Sequence, residues 1–495
     1  MSARVSNEVA RLLDRACDTY AETPAAGTLN EARARLREPL RVAIAGKVKA
    51  GKSTLLNALV GDQLAPTDAG ECTRIVTWYR DGITYKVTVH PSVGQPVSIP
   101  FRRDDGALTV RLDGHRPEAI DRMVVEWPSA SLRSMVLIDT PGIGSLSTDI
   151  AERTHAFLTP ADRPGEADAV CYLMRHLHGT DARFLESFHD DRAGRGTPMN
   201  AIGVLSRADE IGVGRLDALQ TADLIARRYR EDPQVRRLCQ TVVPVAGLLA
   251  QAAVTLRQDE YAALASLAAA DRSVTDELLW SADRFGADQA GVEVDSDRRR
   301  PLLDRMGLFG VRLSLALIRG GGAPSATQLA AALVDHSGIT ALKDTLATQF
   351  AGRADLLKAR SALLTLDAVL RIQPKPSGFE LATELERILA STHEFAEART
   401  LNALRAGNVP FGDDATAEAE RLLGGHGDAA SARLGLPADS DAATIHAAAM
   451  EASVRWRRRA EHPMATRAAA DAASVVVRSC EGVLAAAGQP AVDGT

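Results

Sequence analysis

Apolar positions near the start of the chain fall at helical spacing: Val5, Val9, Leu12, Ala16 and Tyr20 form one stripe. That stripe predicts an amphipathic helix whose partner must come from elsewhere, most naturally from helices late in the chain. From Leu40 to about Ala250 the pattern changes to short β-branched runs separated by helical stretches: RVAIA, RIVTWYR, YKVTVH, MVVEW, SMVLID, AVCYLM, AIGVLS and TVVPV. This alternation predicts an α/β domain with a mostly parallel sheet. Beyond Ala250 strand signals nearly vanish and a helical period runs to residue 487, so the second half reads as all-helical. Ile339, Leu342, Leu346, Phe350, Leu357 and Leu364 continue to Ile372 without a proline, which predicts a single rod of roughly 50 Å. A PKPSG turn then leads into a return helix carrying Leu381, Leu385, Leu389, Phe395 and Leu404, giving a long antiparallel hairpin. The expected division is residues 1–39 as N-terminal helices joining a neck, 40–250 as the α/β domain, and 251–495 as a helical neck and trunk.

Composition narrows the function. The 495 residues are 45% hydrophobic and 25% charged with a net charge of −6, so the chain is globular and lacks the basic surplus that nucleic-acid binding draws on. Its five cysteines are scattered without metal-ligand spacing, which suits a reduced, cytoplasmic protein. No apolar leader opens the chain and no run approaches the roughly 18 apolar residues of a spanning helix, so any membrane contact is expected to be peripheral.

The chemistry is concentrated at three strand ends. LRVAIAGKVKAGKSTLLNALVG places Gly46, Gly51, Lys52 and Ser53 in the GxxxxGK[ST] spacing, directly between a predicted strand and a predicted helix. Backbone amides from Lys49 through Ala50, Gly51 and Lys52 to Ser53 and Thr54 would cradle a β-phosphate, Lys52 would reach the β/γ oxygens, and Ser53 would ligate Mg²⁺. Lys47, Lys49 and Lys52 are three of the chain's seven lysines and all look placed for phosphate. SMVLIDTPG ends a strand on Asp139, which would hold Mg²⁺, with Gly142 positioned to sense a γ-phosphate. VLSRADEIG brings Ser206, Arg207 and Asp209 to the place of [NT]KxD; a carboxylate there accepts both N–H groups on the guanine edge, and adenine offers no such pair. Arginine replaces the usual lysine, so its aliphatic stem is expected to pack on the base.

With a threonine in ECTRIVT 21 residues after Lys52, and helices to the end, these motifs resemble the bacterial dynamin-like GTPases. The likeness runs nearly the whole length, through LVGDxxAPTDAxExTRIVTW, EWP, SRADEIG and WRRRA. It implies a head that hydrolyses GTP to GDP and phosphate, a helical neck and trunk built from both termini, and membrane remodelling or maintenance at the cell envelope. It also implies peripheral attachment to anionic lipid at the inner face of the cell membrane, with self-assembly or a sister dynamin-like partner. By that resemblance Thr73 is the switch threonine that ligates Mg²⁺ and places the attacking water. Val48 and Lys49 stand where many dynamins have glutamine and serine, and Lys49 occupies the position at which some relatives hold an arginine finger in cis.

Other signals read as structural. The arginines around Trp456 in ASVRWRRRA point in different directions and have Glu451 and Glu461 nearby; residues 306–318 suit a core helix; His176 and His178 lack a third ligand at metal spacing. The alternative function is a nucleotide-binding scaffold of low turnover that acts through a protein partner.

Overall fold

Among the described residues nine strands form the central sheet in the order β11-β10-β9-β1-β8-β2-β7-β3-β4. They are β1 (Leu40–Gly46), β2 (Thr77–Arg80), β3 (Lys86–Pro91), β4 (Val97–Ile99), β7 (Ile120–Glu126), β8 (Met135–Asp139), β9 (Ala169–Met174), β10 (Ala201–Ser206) and β11 (Val242–Val245), with β5 (Phe101–Asp104) and β6 (Ala107–Val110) pairing as a separate hairpin. The structure is a computed structural model that describes residues 2–65, 75–104, 107–112, 114, 116–141, 166–175, 179, 181–182, 185, 200–288, 293–405 and 407–487. All eight expected runs are strands. β4 and the β5–β6 hairpin were not anticipated.

Pairing is parallel among β8, β1, β9, β10 and β11, and between β2 and β7. It turns antiparallel where β2 meets β8 and where β3 meets β7 and β4. The register sets Ile44 beside Asp139, Gly46 beside Leu173, and Ser206 beside Val245. The carboxyl ends of β1, β8, β9, β10 and β11 therefore open along one edge, where a parallel sheet binds its ligands.

One sheet face is covered by the helices Ser2–Thr19 and Ala25–Arg35 together with the late helices from Ile339 to Ser391, all in one apolar core. The stripe of Val5, Val9, Leu12, Ala16 and Tyr20 is buried against this late segment, as its periodicity required. Lys358 secures the joint, donating to the carbonyls of Leu36 at 2.9 Å and Glu38 at 3.2 Å. The opposite face packs against Ala218–Glu231 and Pro233–Leu238. A third core joins Gly247–Val254 to the helices between Gln258 and Ser337, and a fourth holds the C-terminal helices around Trp456. Residues Met306, Phe309, Val311, Leu313 and Leu315 are buried in the third core. Arg455 pairs with Glu418 and Glu451, Arg457 pairs with Glu481, and Arg459 lies over the Trp456 ring.

The expected rod is broken. Ile339–Gln349 ends at Phe350, a 3-10 turn spans Ala351–Arg353, and a new helix runs Ala354–Ile372. Phe350 is fully buried, and Arg353 turns inward to Asp428 at 3.0 Å and to the Gly424 carbonyl. Tertiary anchoring at these two residues outweighs an uninterrupted helical pattern. The 19 residues of Ala354–Ile372 make an arm of about 28 Å at 1.5 Å per residue, well short of 50 Å. The return helix is likewise divided at Thr392, between Gly378–Ser391 and His393–Arg405.

Candidate functional site

β1 delivers the chain to Gly46, whose φ is +149° and where a Cβ would stand 2.6 Å from the Leu173 carbonyl oxygen. Only glycine fits that approach to β9. The loop turns back through Lys49 at φ 63° and Gly51 at φ 94°, and the helix Lys52–Val60 begins without a side-chain cap. Its first-turn N–H groups are thereby left for an outside acceptor, and the helix end favours an anion.

Lys52 folds over this loop, its Nζ donating to the carbonyls of Gly46 and Lys47 at 3.3 Å each. Burial pulls its pKa down, against the opposing pull of Asp139. Ser53 Oγ donates to Asp139 Oδ2 at 2.8 Å, and Asp139 Oδ1 is buried with no hydrogen-bond partner among the described residues. Burial pushes the Asp139 carboxyl up, partly countered by Lys52 and the Ser53 hydroxyl. A buried ammonium and a buried carboxylate both strained toward neutrality mark a site shaped for further charges. The orphaned Asp139 oxygen beside a serine hydroxyl is a hard-oxygen donor set that fits Mg²⁺. Thr140, next in the chain, is buried and donates to the Ile44 carbonyl at 2.9 Å, fixing the end of β8 against β1.

Some 140 Å³ of cavity lies between the phosphate loop and the end of β10, lined by Ala50, Gly51, Thr54, Ser206, Arg207 and Asp209 among others. These are all residues the motifs singled out. Asp209 is 8% exposed, and burial raises its carboxyl pKa. Ser206 Oγ donates to the Met174 carbonyl at 3.3 Å, bracing β10 to β9. Arg207, at φ 55°, reaches back to the Lys49 carbonyl at 2.8 Å and to Glu210 at 2.6 Å, so its side chain straps the base motif to the phosphate loop. Gly247 and Leu248, at the start of the helix after β11, also line it and carry no motif, although VPVAG shows the same signal of a strand running straight into a helix.

Two of the three loop lysines depart from the expected arrangement. Lys47 is turned away from a phosphate role: its Nζ lies 3.0 Å from Asp181 Oδ2, while Tyr172 OH donates to Asp181 Oδ1 at 2.6 Å. Asp181 is almost completely buried and needs that cation. The Lys49 side chain is exposed, while its carbonyl is engaged by Arg207. Thr73, Gly142, His176 and His178 lie outside the described residues.

Comparison with known proteins places the chain among relatives. The family model described as Dynamin family matches residues 42–206, which run from β1 to the end of β10. Isoniazid-induced protein IniC of Mycobacterium tuberculosis is 42% identical over 458 residues, 92% of this chain and 92% of its own. A bacterial dynamin-like protein of Nostoc punctiforme is 32% identical over 158 residues, 28% of this chain and 23% of its own. The solved structure of an oligomerised bacterial dynamin pair aligns with 100% of this chain and 77% of its own at 12% identity and a TM-score of 0.32, and nothing further rests on it. Identity sustained across 92% of both chains, on a head with the dynamin-family GTPase domain, shows that this chain belongs to the bacterial dynamin-like proteins that include IniC.

Proposed function

We propose that this chain hydrolyses GTP to GDP and phosphate with Mg²⁺, and that its helices convey the result to a membrane. The observation that carries the reading is Asp139, a buried carboxylate with one oxygen on Ser53 and the other without a partner among the described residues, set near the pulled-down Lys52 ammonium. That arrangement is costly in the free protein and is relieved by a polyphosphate with its cation. Ser53 and Asp139, with Thr73, would hold Mg²⁺, which when bound draws charge off the phosphate oxygens. Gly46 through Thr54 would cradle the phosphates, Lys52 would neutralise the β/γ oxygens, and Gly142 would sense the γ-phosphate. Asp209 would accept from the guanine edge, while Ser206 and the stem of Arg207 would bound the base. Lys49, exposed and at the loop's turn, would swing inward to offset charge on the leaving oxygens.

The proposed division assigns residues 1–39 and 251–495 to a neck and trunk and 40–250 to the head. Among the described residues no helix is long and apolar enough to cross a membrane, which accords with peripheral attachment to anionic lipid at the inner face of the cell membrane. Self-assembly or a sister dynamin-like protein would multiply weak single contacts.

The deciding experiment is single-turnover cleavage of GTP with and without Mg²⁺, alongside Lys52→Ala. Cleavage that requires Mg²⁺ and vanishes in the variant is expected. Tight nucleotide binding with no cleavage would instead make the chain a nucleotide-binding scaffold.

A further inference from the structure

Away from the nucleotide pocket, where the head helix Pro233–Leu238 meets the trunk, arginines gather around too few carboxylates. Arg236 pairs with Glu420, and Arg405 Nε stands 3.7 Å from the other oxygen of the same carboxylate. Arg353 and Arg433 each lie 3.0 Å from Asp428, and Arg433 also binds Glu397 at 2.5 Å. Arg421 comes close to Gly435, with its Nε buried and unpartnered among the described residues. Five guanidinium groups (Arg236, Arg353, Arg405, Arg421 and Arg433) thus face three carboxylates (Glu397, Glu420 and Asp428).

Arg405 carries the imbalance. It is 5% exposed, makes no hydrogen bond among the described residues, and its NH1 is fully buried with no partner. A guanidinium has five N–H donors, and burying it so poorly satisfied is costly unless an acceptor arrives. Burial first, then the like charges of Arg236 and Arg353, hold its pKa down at about 10, against an opposing pull from Cys239. The glycine-rich turn Gly424-Gly425-His426-Gly427-Asp428 borders the cluster, and His426 stands exposed on it.

From the Arg405 NH1 left without a partner among the described residues, the surplus of two positive charges and the adjacent glycine turn, the structure assigns a binding site for a small soluble oxyanion of the phosphate type between head and trunk, held by Arg405 with Arg236 and Arg421. A dianion balances the charge, and a planar guanidinium suits tetrahedral oxyanions. This site is independent of the GTPase reading, since it shares no residue with the nucleotide pocket.

The test uses the full chain carrying Lys52→Ala, which removes the main cation of the phosphate loop. Its melting temperature is followed while sodium phosphate is titrated against sodium chloride at matched ionic strength. A saturable upward shift with phosphate alone is expected, lost on adding Arg405→Met and weakened on adding Arg421→Met. Arg405→Met should itself melt no lower than its parent without phosphate, because it removes an uncompensated buried charge; should it fail to fold, the half-buried Arg421→Met decides. An equal shift with chloride would overturn the assignment, as would a phosphate response unchanged in the arginine variants. A response confined to phosphatidic-acid vesicles would overturn it too, because Arg405 lies too deep for a headgroup anchored in a bilayer.

Discussion

Asp139 and Asp209 are kept at the cost of the ligand-free fold, and that cost gives them a testable signature. Burial raises both pKa values. A carboxyl raised above its unfolded value contributes stability only while protonated, at low pH, and that contribution is lost as pH rises through the folded pKa. Near pH 7 each ionised group therefore weakens the empty protein. Asp209→Asn is expected to melt at or above wild type at pH 7, with the difference shrinking as pH falls into the carboxylate range. The same variant should lose GTP and gain XTP, because the amide donates to the C2 carbonyl of xanthine; discrimination by such a site reaches roughly 10⁴-fold. A melting temperature well below wild type, with GTP binding intact, would make Asp209 a structural residue.

Lys52→Ala is expected to abolish hydrolysis with an unchanged circular-dichroism spectrum, because among the described residues its Nζ donates to two carbonyls of its own loop. For Lys49→Ala the expected outcome is single-turnover cleavage slowed by about tenfold to a thousandfold with GTP binding largely kept. An unchanged rate at saturating GTP would show that the exposed side chain stays in solvent. The sequence marked the residues of this pocket well because the phosphate loop and SRAD are local in the chain. It misread Lys47, whose fate depends on Asp181, 134 positions away and buried by the tertiary fold.

Among the elements, apolar runs announced every strand of the sheet's interior, since a strand buried on both faces must be apolar throughout. β4 and the β5–β6 hairpin escaped because VSI, FRRD and ALTV are short and mixed in polarity. The break at Phe350 escaped for a different reason: no proline marks it, Gly352 in the turn is a weak signal alone, and Arg353 reaching Asp428 fixes the turn. The tip formed by PKPSG is likewise more constrained than its composition suggests. Ile372 is 55% and Phe379 78% exposed, while Lys375 donates to the Thr19 carbonyl at 2.9 Å and lies over the Tyr20 ring. Two apolar side chains are thus presented on a fixed turn, and the cation is already spoken for. Ile372→Asp with Phe379→Asp is expected to remove sedimentation with anionic liposomes while basal hydrolysis persists. Burial of two such side chains is worth only ~3 to 6 kcal/mol, so binding should also fall steeply on dilution. Full sedimentation of the double variant would move the membrane contact elsewhere on the helices.

At the scale of the whole molecule, the first helix lies on the last third of the chain: Tyr20 OH donates to the Gln373 carbonyl at 2.9 Å, a span of 353 positions. A ribosome adds about 5–20 residues per second, so the apolar stripe from Val5 to Tyr20 waits roughly 20 to 70 seconds for its partner while the sheet domain is already folding. During that interval the nascent chain presents an apolar helix face without its late partner. Fragments ending near residue 338 should therefore recover solubility when residues 2–35 are also removed, a comparison that expression and gel filtration of the two fragments would settle. Within the cell, the same long wait means that a chain cut short before residue 339 carries its first helix with no late partner to cover it.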